Sequence, residues 1–344
     1  MNKIILPAEW HTQDAIQLTW PDELTEWEPY IDSVLECYIN IASEIIKYEN
    51  LIIVCRNIKN TKAQLKSLDL SRITFKQIEL NDTWARDHAG ISVFNQKGEK
   101  IILDFVFNGW GLKFNANLDN QITRHMFEQN TFQKDVKRIS LQPYVLEGGS
   151  IETDGLGTLL ATEECLCSIN RNEQFSKLEI ENKLKSFFGF NRILWLSHGN
   201  IIGDDTDSHI DTLARFCSED TIAYVQCKDI NDEHYESLYK MELELKSFKT
   251  INGTPYNLIP LPLPQAMYLD DYRLPATYAN FLIINNAVLM PGIGNELDSI
   301  AANQLQKAFP DREIITINCC PLLSGHGSLH CVTMQYPVGF INFD

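Results

Sequence analysis

Cys331 closes the stretch Ser324-Gly325-His326-Gly327-Ser328-Leu329-His330-Cys331 and runs directly into Val332-Thr333-Met334. A loop with two glycines and two histidines ahead of a β-branched segment suits a thiol at the lip of a strand, where backbone can approach a ligand closely. A lone cysteine in such a place is ordinarily a small buried residue. Four upstream residues change that expectation. Asp87 ends Asn81-Asp82-Thr83-Trp84-Ala85-Arg86-Asp87, and Glu147 stands between an apolar run and Gly148-Gly149. His209 and Asp211 end the acidic run Asp204-Asp205-Thr206-Asp207-Ser208-His209-Ile210-Asp211. Two residues apart, they would face one side of a strand while Ile210 faces the core.

One thiol, one imidazole and three carboxylates suit some chemistries and not others. A cysteine protease pairs Cys with His and needs donors for a developing oxyanion, against which surplus carboxylates would act. A guanidinium is planar, permanently cationic and forked, so paired carboxylates grip it bidentately. Thiolate attack on its central carbon neutralises the cation and needs no oxyanion hole. A cysteine thiolate forms readily beside a bound cation, and a histidine can protonate departing ammonia and then activate water. The set therefore reads as hydrolysis at a guanidine carbon, without a cofactor. A calcium loop is excluded, because no register of the acidic run offers Gly at its sixth position or Glu at its twelfth. No third ligand with clear spacing joins His209 and Asp211 in a zinc site, and Cys165-Leu166-Cys167 is one residue too tight for a knuckle.

These stretches, with Leu274-Pro275-Ala276-Thr277-Tyr278-Ala279-Asn280-Phe281, Phe107-Asn108-Gly109-Trp110-Gly111 and Ala8-Glu9-Trp10, resemble in order the agmatine deiminases and Porphyromonas-type peptidyl-arginine deiminases. The resemblance implies a five-bladed α/β propeller of the guanidino-group-modifying (pentein) superfamily, a single catalytic domain over 1–344. It implies Cys331 as nucleophile, His209 as general acid and base, Asp87 and Asp211 on the guanidinium, and Glu147 on His209 and the substrate nitrogens. It further implies Trp84 along the substrate's alkyl chain and Asp205 near its distal amine. Agmatine is the expected substrate, giving N-carbamoylputrescine and ammonia on the way to putrescine. Peptidyl-arginine, free arginine and amidino transfer are the alternatives. Free arginine would want a cation for its carboxylate, and Arg86, Arg215 and Arg273 are candidates. His88-Ala89-Gly90 and Gly325-His326-Gly327-Ser328-Leu329-His330 depart from the family's usual Thr/Ser-Gly-Pro and Gly-Gly-Gly-Asn-Ile-His, which bears on substrate rather than reaction type.

The elements that must position these groups alternate. Helical periodicity covers 29–47, 61–68, 121–128, 173–188, 232–247 and 296–309; apolar strands cover 15–21, 51–55, 73–80, 101–105, 157–162, 192–196, 221–225, 281–289 and 313–317. From Asp87 to Glu147 is 60 residues, from Glu147 to His209 is 62, and from His209 to Cys331 is 122. Five repeats of about 60 residues, each contributing one loop to a shared mouth, fit that spacing, with an unfilled slot near Leu269-Asp270-Asp271. Trp110, Tyr278 and Phe281 read as core or rim packing, His326 and His330 as loop hydrogen-bonders, and Cys319 and Cys320 as inert thiols.

Composition bounds the rest. Of 344 residues, 44% are hydrophobic and 22% charged, an ordinary globular balance. Twenty-nine Lys and Arg against 46 Asp and Glu give a net charge of −17, which argues against nucleic acid and favours cationic ligands. Nine scattered cysteines read as reduced thiols, and no run is long or apolar enough for a membrane or signal segment. A cytoplasmic protein with a small cationic guanidino substrate, no nucleic acid and no membrane is expected. The sequence is compatible with a homo-oligomer.

Overall fold

The computed structural model describes residues 4–343 and has a mixed α/β fold. Its strands form five separate sheets plus the small hairpin Tyr268–Leu269/Tyr272–Arg273, and no sheet closes on itself among the described residues. Each sheet repeats one pattern: a short strand pairs antiparallel with a middle strand, which pairs parallel with a third across a helical connection. The trios are Ile91–Asn95, Lys100–Val106 and Lys137–Val145; Glu152–Thr153, Thr158–Thr162 and Arg192–Leu196; Ala214–Phe216, Thr221–Gln226 and Asn257–Pro262; and Leu282–Ile284, Ala287–Gly292 and Glu313–Asn318. In the fifth sheet the antiparallel strand is the last of the chain, Thr333–Pro337, on Gln13–Thr19, followed by Asn50–Cys55 and Ile73–Gln77. The segment after Cys331 thus completes a sheet begun at the N-terminus.

Middle strands such as Ala287–Gly292 are buried along their whole length, as expected for strands covered on both faces. The helix Ile31–Tyr48 buries Val34, Tyr38, Ile41, Ala42 and Ile45, the stripe that its periodicity announces. Local caps account for two of the shifted helix starts. Ser176 and Glu179 form a reciprocal capping box, so the helix expected over 173–188 begins at Lys177; Gly189 at φ 73° ends it. Asn57 accepts from the Asn60 amide, which moves the helix expected over 61–68 to Ile58–Gln64. No helix among the described residues is long and apolar enough to cross a membrane.

Candidate active site

In every sheet, the loop entering the antiparallel strand delivers a polar group. Asp87 lies on the turn Ala85–His88 ahead of Ile91–Asn95, and Glu147 precedes Glu152–Thr153. His209 and Asp211 precede Ala214–Phe216, Asn280 precedes Leu282–Ile284, and Cys331 precedes Thr333–Pro337. The unfilled slot is therefore held by Asn280, not by residues 269–271, which belong to the inserted hairpin. His209 and Asp211 are also not on a strand. Asp204 takes the backbone N–H groups of Thr206 and Ser208, Asp207 and Ser208 turn through φ 64° and 66°, and a 3-10 turn Ile210–Thr212 follows with His209 at its N-cap. Ile210 still faces the core, and His209 and Asp211 are both fully buried.

Gly149 lets the groups meet. A Cβ there would lie 2.6 Å from His209 Nδ1, 2.9 Å from Asp87 Oδ1 and 3.1 Å from Asp211 Oδ2. Its backbone N–H donates to Asp87 Oδ1 at 3.1 Å, and His209 Nδ1 stands 3.6 Å from the same oxygen. Trp110 Nε1 donates to the other Asp87 oxygen at 2.9 Å, so this tryptophan, expected as packing, is part of the site. Asn280 fixes the Cys331 loop: its Oδ1 accepts from the backbone N–H of His330 (2.9 Å) and Cys331 (3.3 Å) and from the thiol at 3.4 Å. Cys331 Sγ is 3.8 Å from Asp211 Oδ2.

A pocket opens onto Cys331 and Asp87, walled by Trp84, Trp110 and Phe114. Gly325 and Gly327 are needed because Trp27 and Trp84 lie against them, with ring atoms 2.2 and 2.3 Å from where a Cβ would stand. Farther along the pocket sit Asp205 and a second carboxylate that sequence reading missed, Glu26, which accepts from Trp84 Nε1 at 3.3 Å. No arginine or lysine among the described residues lines this pocket. Arg215 is buried against Glu9 and Glu152, Arg273 pairs with Asp232 and Glu233, and Arg86 is buried with one nitrogen on Gln335 Oε1. None of the three reaches the pocket wall, which corrects their candidacy as carboxylate partners.

Glu147 lies behind His209, its two oxygens both 2.9 Å from Arg171 Nε. The same guanidinium reaches Asp207 Oδ2 (2.5 Å) and the Thr206 carbonyl (2.8 Å), tying Glu147 to the acidic loop. Donor atoms of Glu147, Cys165 and His209 lie within 4.8 Å of one another, but Arg171 already supplies this cluster with a cation. Arg171 carries no signal in the spacing, and Cys165 stands out there only as half of a zinc pair set too tight. His326 Nδ1 bonds the Gly203 carbonyl at 2.7 Å on the pocket wall, in keeping with its expected part as a loop hydrogen-bonder.

Burial sets the electrostatics. It raises Asp87 to about 6, with His209 pulling down and Asp211 pushing up. Burial would lower His209, but Asp87, Cys165 and Glu147 outweigh it and shift the imidazole well above its ordinary value. Cys331 is pushed well above 9 by burial and then by the Asp211 and Asp87 carboxylates, so the unliganded thiol keeps its proton. Asp205 is raised to about 6, by burial first, and Glu26 is raised by burial and by Asp205. A cation here would relieve every one of these carboxylates and the thiol.

The Porphyromonas-type peptidyl-arginine deiminase model matches residues 5–337. The chain belongs to that family. An agmatine deiminase of Stutzerimonas stutzeri is 29% identical, the match covering 98% of this chain and 96% of the relative. A Vibrio parahaemolyticus protein provisionally named agmatine deiminase is 33% identical, with 96% of each covered. Among solved structures, one from Porphyromonas gingivalis, provisionally named arginine deiminase, superposes with a TM-score of 0.94 at 49% identity, covering 99% of this chain and 100% of that one. The Campylobacter jejuni agmatine deiminase gives a TM-score of 0.87 at 36% identity, with 97% and 96% covered.

Proposed function

We propose that this chain is an agmatine iminohydrolase. The observation that carries the reading is the pocket's charge: Asp87 beside the thiol, Glu26 and Asp205 farther along, and no arginine or lysine among its described lining residues. That wall suits a dication with a guanidinium at one end and an ammonium at the other, and offers nothing to the carboxylate of free arginine.

Asp87 and Asp211 hold the guanidinium, and its charge beside Cys331 lowers the thiol's pKa so that a proton leaves to solvent. The thiolate adds to the guanidine carbon, giving a neutral tetrahedral adduct. The His209 imidazolium donates a proton to one nitrogen, the C–N bond breaks, and ammonia departs from a thiouronium held on Cys331. Neutral His209 then takes a proton from water as the oxygen bonds to the carbon. Collapse breaks the C–S bond, gives up the hydroxyl proton and returns the thiol with N-carbamoylputrescine. Glu147, neutralised by Arg171, steadies His209 through both transfers. Trp84 lies along the alkyl chain, and Asp205 with Glu26 takes the ammonium. In this reading the five sheets are blades of a pentein propeller, residues 1–344 act as one catalytic unit in the cytoplasm, and the product feeds putrescine formation.

Ammonia release from agmatine, arginine and a short arginine peptide, with Cys331→Ala alongside, tests it. Turnover of agmatine alone, lost in the variant, is expected. Turnover confined to arginine or peptide would keep the chemistry and overturn the substrate, and an active Cys331→Ala would overturn the mechanism.

A further inference from the structure

The histidine before the nucleophile does more than brace a loop. His330 is buried, with Nδ1 2.7 Å from Asp211 Oδ2 and Nε2 2.8 Å from Glu9 Oε2. Each ring nitrogen thus faces a carboxylate oxygen at hydrogen-bond distance. Arg215 Nη2 also donates to Glu9 Oε2 at 2.7 Å, which explains its 3.0 Å approach to His330 Nε2: two donors share one acceptor. Arg215 is in turn held by Glu152 and by the Phe281 carbonyl at 2.6 Å. A buried row of hydrogen-bonded groups therefore runs Arg215, Glu9, His330, Asp211 to the thiol. The remaining charges near His330 are Glu152 and Arg86, whose Nε approaches the His330 carbonyl at 3.5 Å.

The row ends asymmetrically. The Asp211 oxygen that His330 holds is the one 3.8 Å from Cys331 Sγ, and Oδ1 of Asp211 has no hydrogen-bond partner among the described residues. A buried carboxylate oxygen without a donor is costly, and one on a side chain otherwise pinned is a preorganised acceptor.

We propose that His330 is a positioning residue: it fixes Asp211 by the oxygen facing Cys331, screening the thiolate from that charge, and leaves the opposite oxygen bare for the substrate's guanidinium. This rests on the roles proposed above for Cys331 and Asp211.

The test is the alkylation rate of Cys331 by chloroacetamidine, a planar cation, relative to iodoacetamide, a neutral reagent. It is run on the whole protein, with thermal melting to verify folding. His330→Asn keeps a side-chain donor near the place of Nδ1, while His330→Gln reaches toward Glu9 and leaves Asp211 unheld. The ratio of cationic to neutral rate is expected to fall about tenfold or more in His330→Gln, on the scale of one charge-assisted hydrogen bond, and to stay within about threefold of wild type in His330→Asn. Equal losses in both, or none in either, would overturn the proposal, since a merely structural role changes melting without changing this ratio. If neither variant folds, Glu9→Gln keeps an acceptor opposite Nε2 but removes its negative charge, loosening the ring that holds Asp211. A lowered ratio there supports the proposal and an unchanged one overturns it. A wild-type protein without preference for the cation would instead sink the underlying reading of the site.

Discussion

The indole N–H of Trp110 meets Oδ2 of Asp87 at 2.9 Å, while the Gly149 amide meets Oδ1 at 3.1 Å. The carboxylate is thus held from two sides before any substrate arrives. Burial nevertheless raises it to about 6, and it must be ionised to grip a cation. Activity at subsaturating substrate should therefore fall as pH drops through about 6. Trp110→Phe removes a bond that favours the ionised form. That limb of the kcat/KM profile should move to higher pH, with a loss of roughly tenfold at neutral pH, the worth of one hydrogen bond to a charge. A profile that stays in place would show that Trp110 only fills space.

Asp87→Asn should move two properties in opposite directions. The Asp87 charge helps hold the Cys331 thiol well above 9, after burial and Asp211, so its removal lowers the thiol's pKa. Iodoacetamide at pH 8 should label the variant faster than wild type. Turnover should fall by about 100-fold or more, because a carboxylate proposed above to hold the substrate cation is gone. Slower labelling together with lost turnover would mean that the site had collapsed.

Gly149→Ala places a methyl 2.6 Å from His209 Nδ1 and 2.9 Å from Asp87 Oδ1. Overpacking of this kind costs about 1–3 kcal/mol, a drop of a few degrees in melting temperature. The rate should suffer far more, roughly 100-fold in kcat, because displacements near 1 Å at reacting groups are that costly. A folded, fully active variant would contradict the convergence of these groups on Gly149.

Glu26→Gln addresses the far end of the pocket. If Glu26 and Asp205 hold the ammonium of agmatine, KM for agmatine should rise about tenfold while kcat stays within a few-fold, and turnover of a guanidine without the amine should not change. Equal effects on both substrates would remove Glu26 from amine recognition.

How much of this was legible in sequence depended on range. Cys331, His209, Asp211, Asp87 and Glu147 stand in short ordered motifs at near-equal intervals, because each sheet's antiparallel strand is entered by an equivalent loop. Asn280 fell outside the interval since the hairpin Tyr268–Leu269/Tyr272–Arg273 lengthens one unit. The strand expected at His209–Asp211 fails locally: Asp204 captures backbone amides that a strand would pair. The arginines misled for the opposite reason. Arg215 meets Glu9 across 206 residues and Glu152 across 63, and no local pattern encodes such pairings. Glu26 likewise reaches the pocket through Trp84, 58 residues away.

Arg171 is the sharpest case of a group invisible in sequence yet needed by the site. Its side chain is 1% exposed, and it holds both Glu147 oxygens, Asp207 and the Thr206 carbonyl. Arg171→Met leaves the fully buried Glu147 carboxylate without its cation, which typically costs about 3–5 kcal/mol when one partner of a buried pair is removed. Arg171→Lys keeps the charge but lacks the planar fork, so it can reach one of these partners and not all three groups together. Urea denaturation should rank wild type above Lys above Met. Activity should fall in both variants, since the loop that carries His209 loses its tie to Glu147. A Met variant as stable as wild type would mean that Glu147 takes up a proton at no cost and that Arg171 is dispensable to the site.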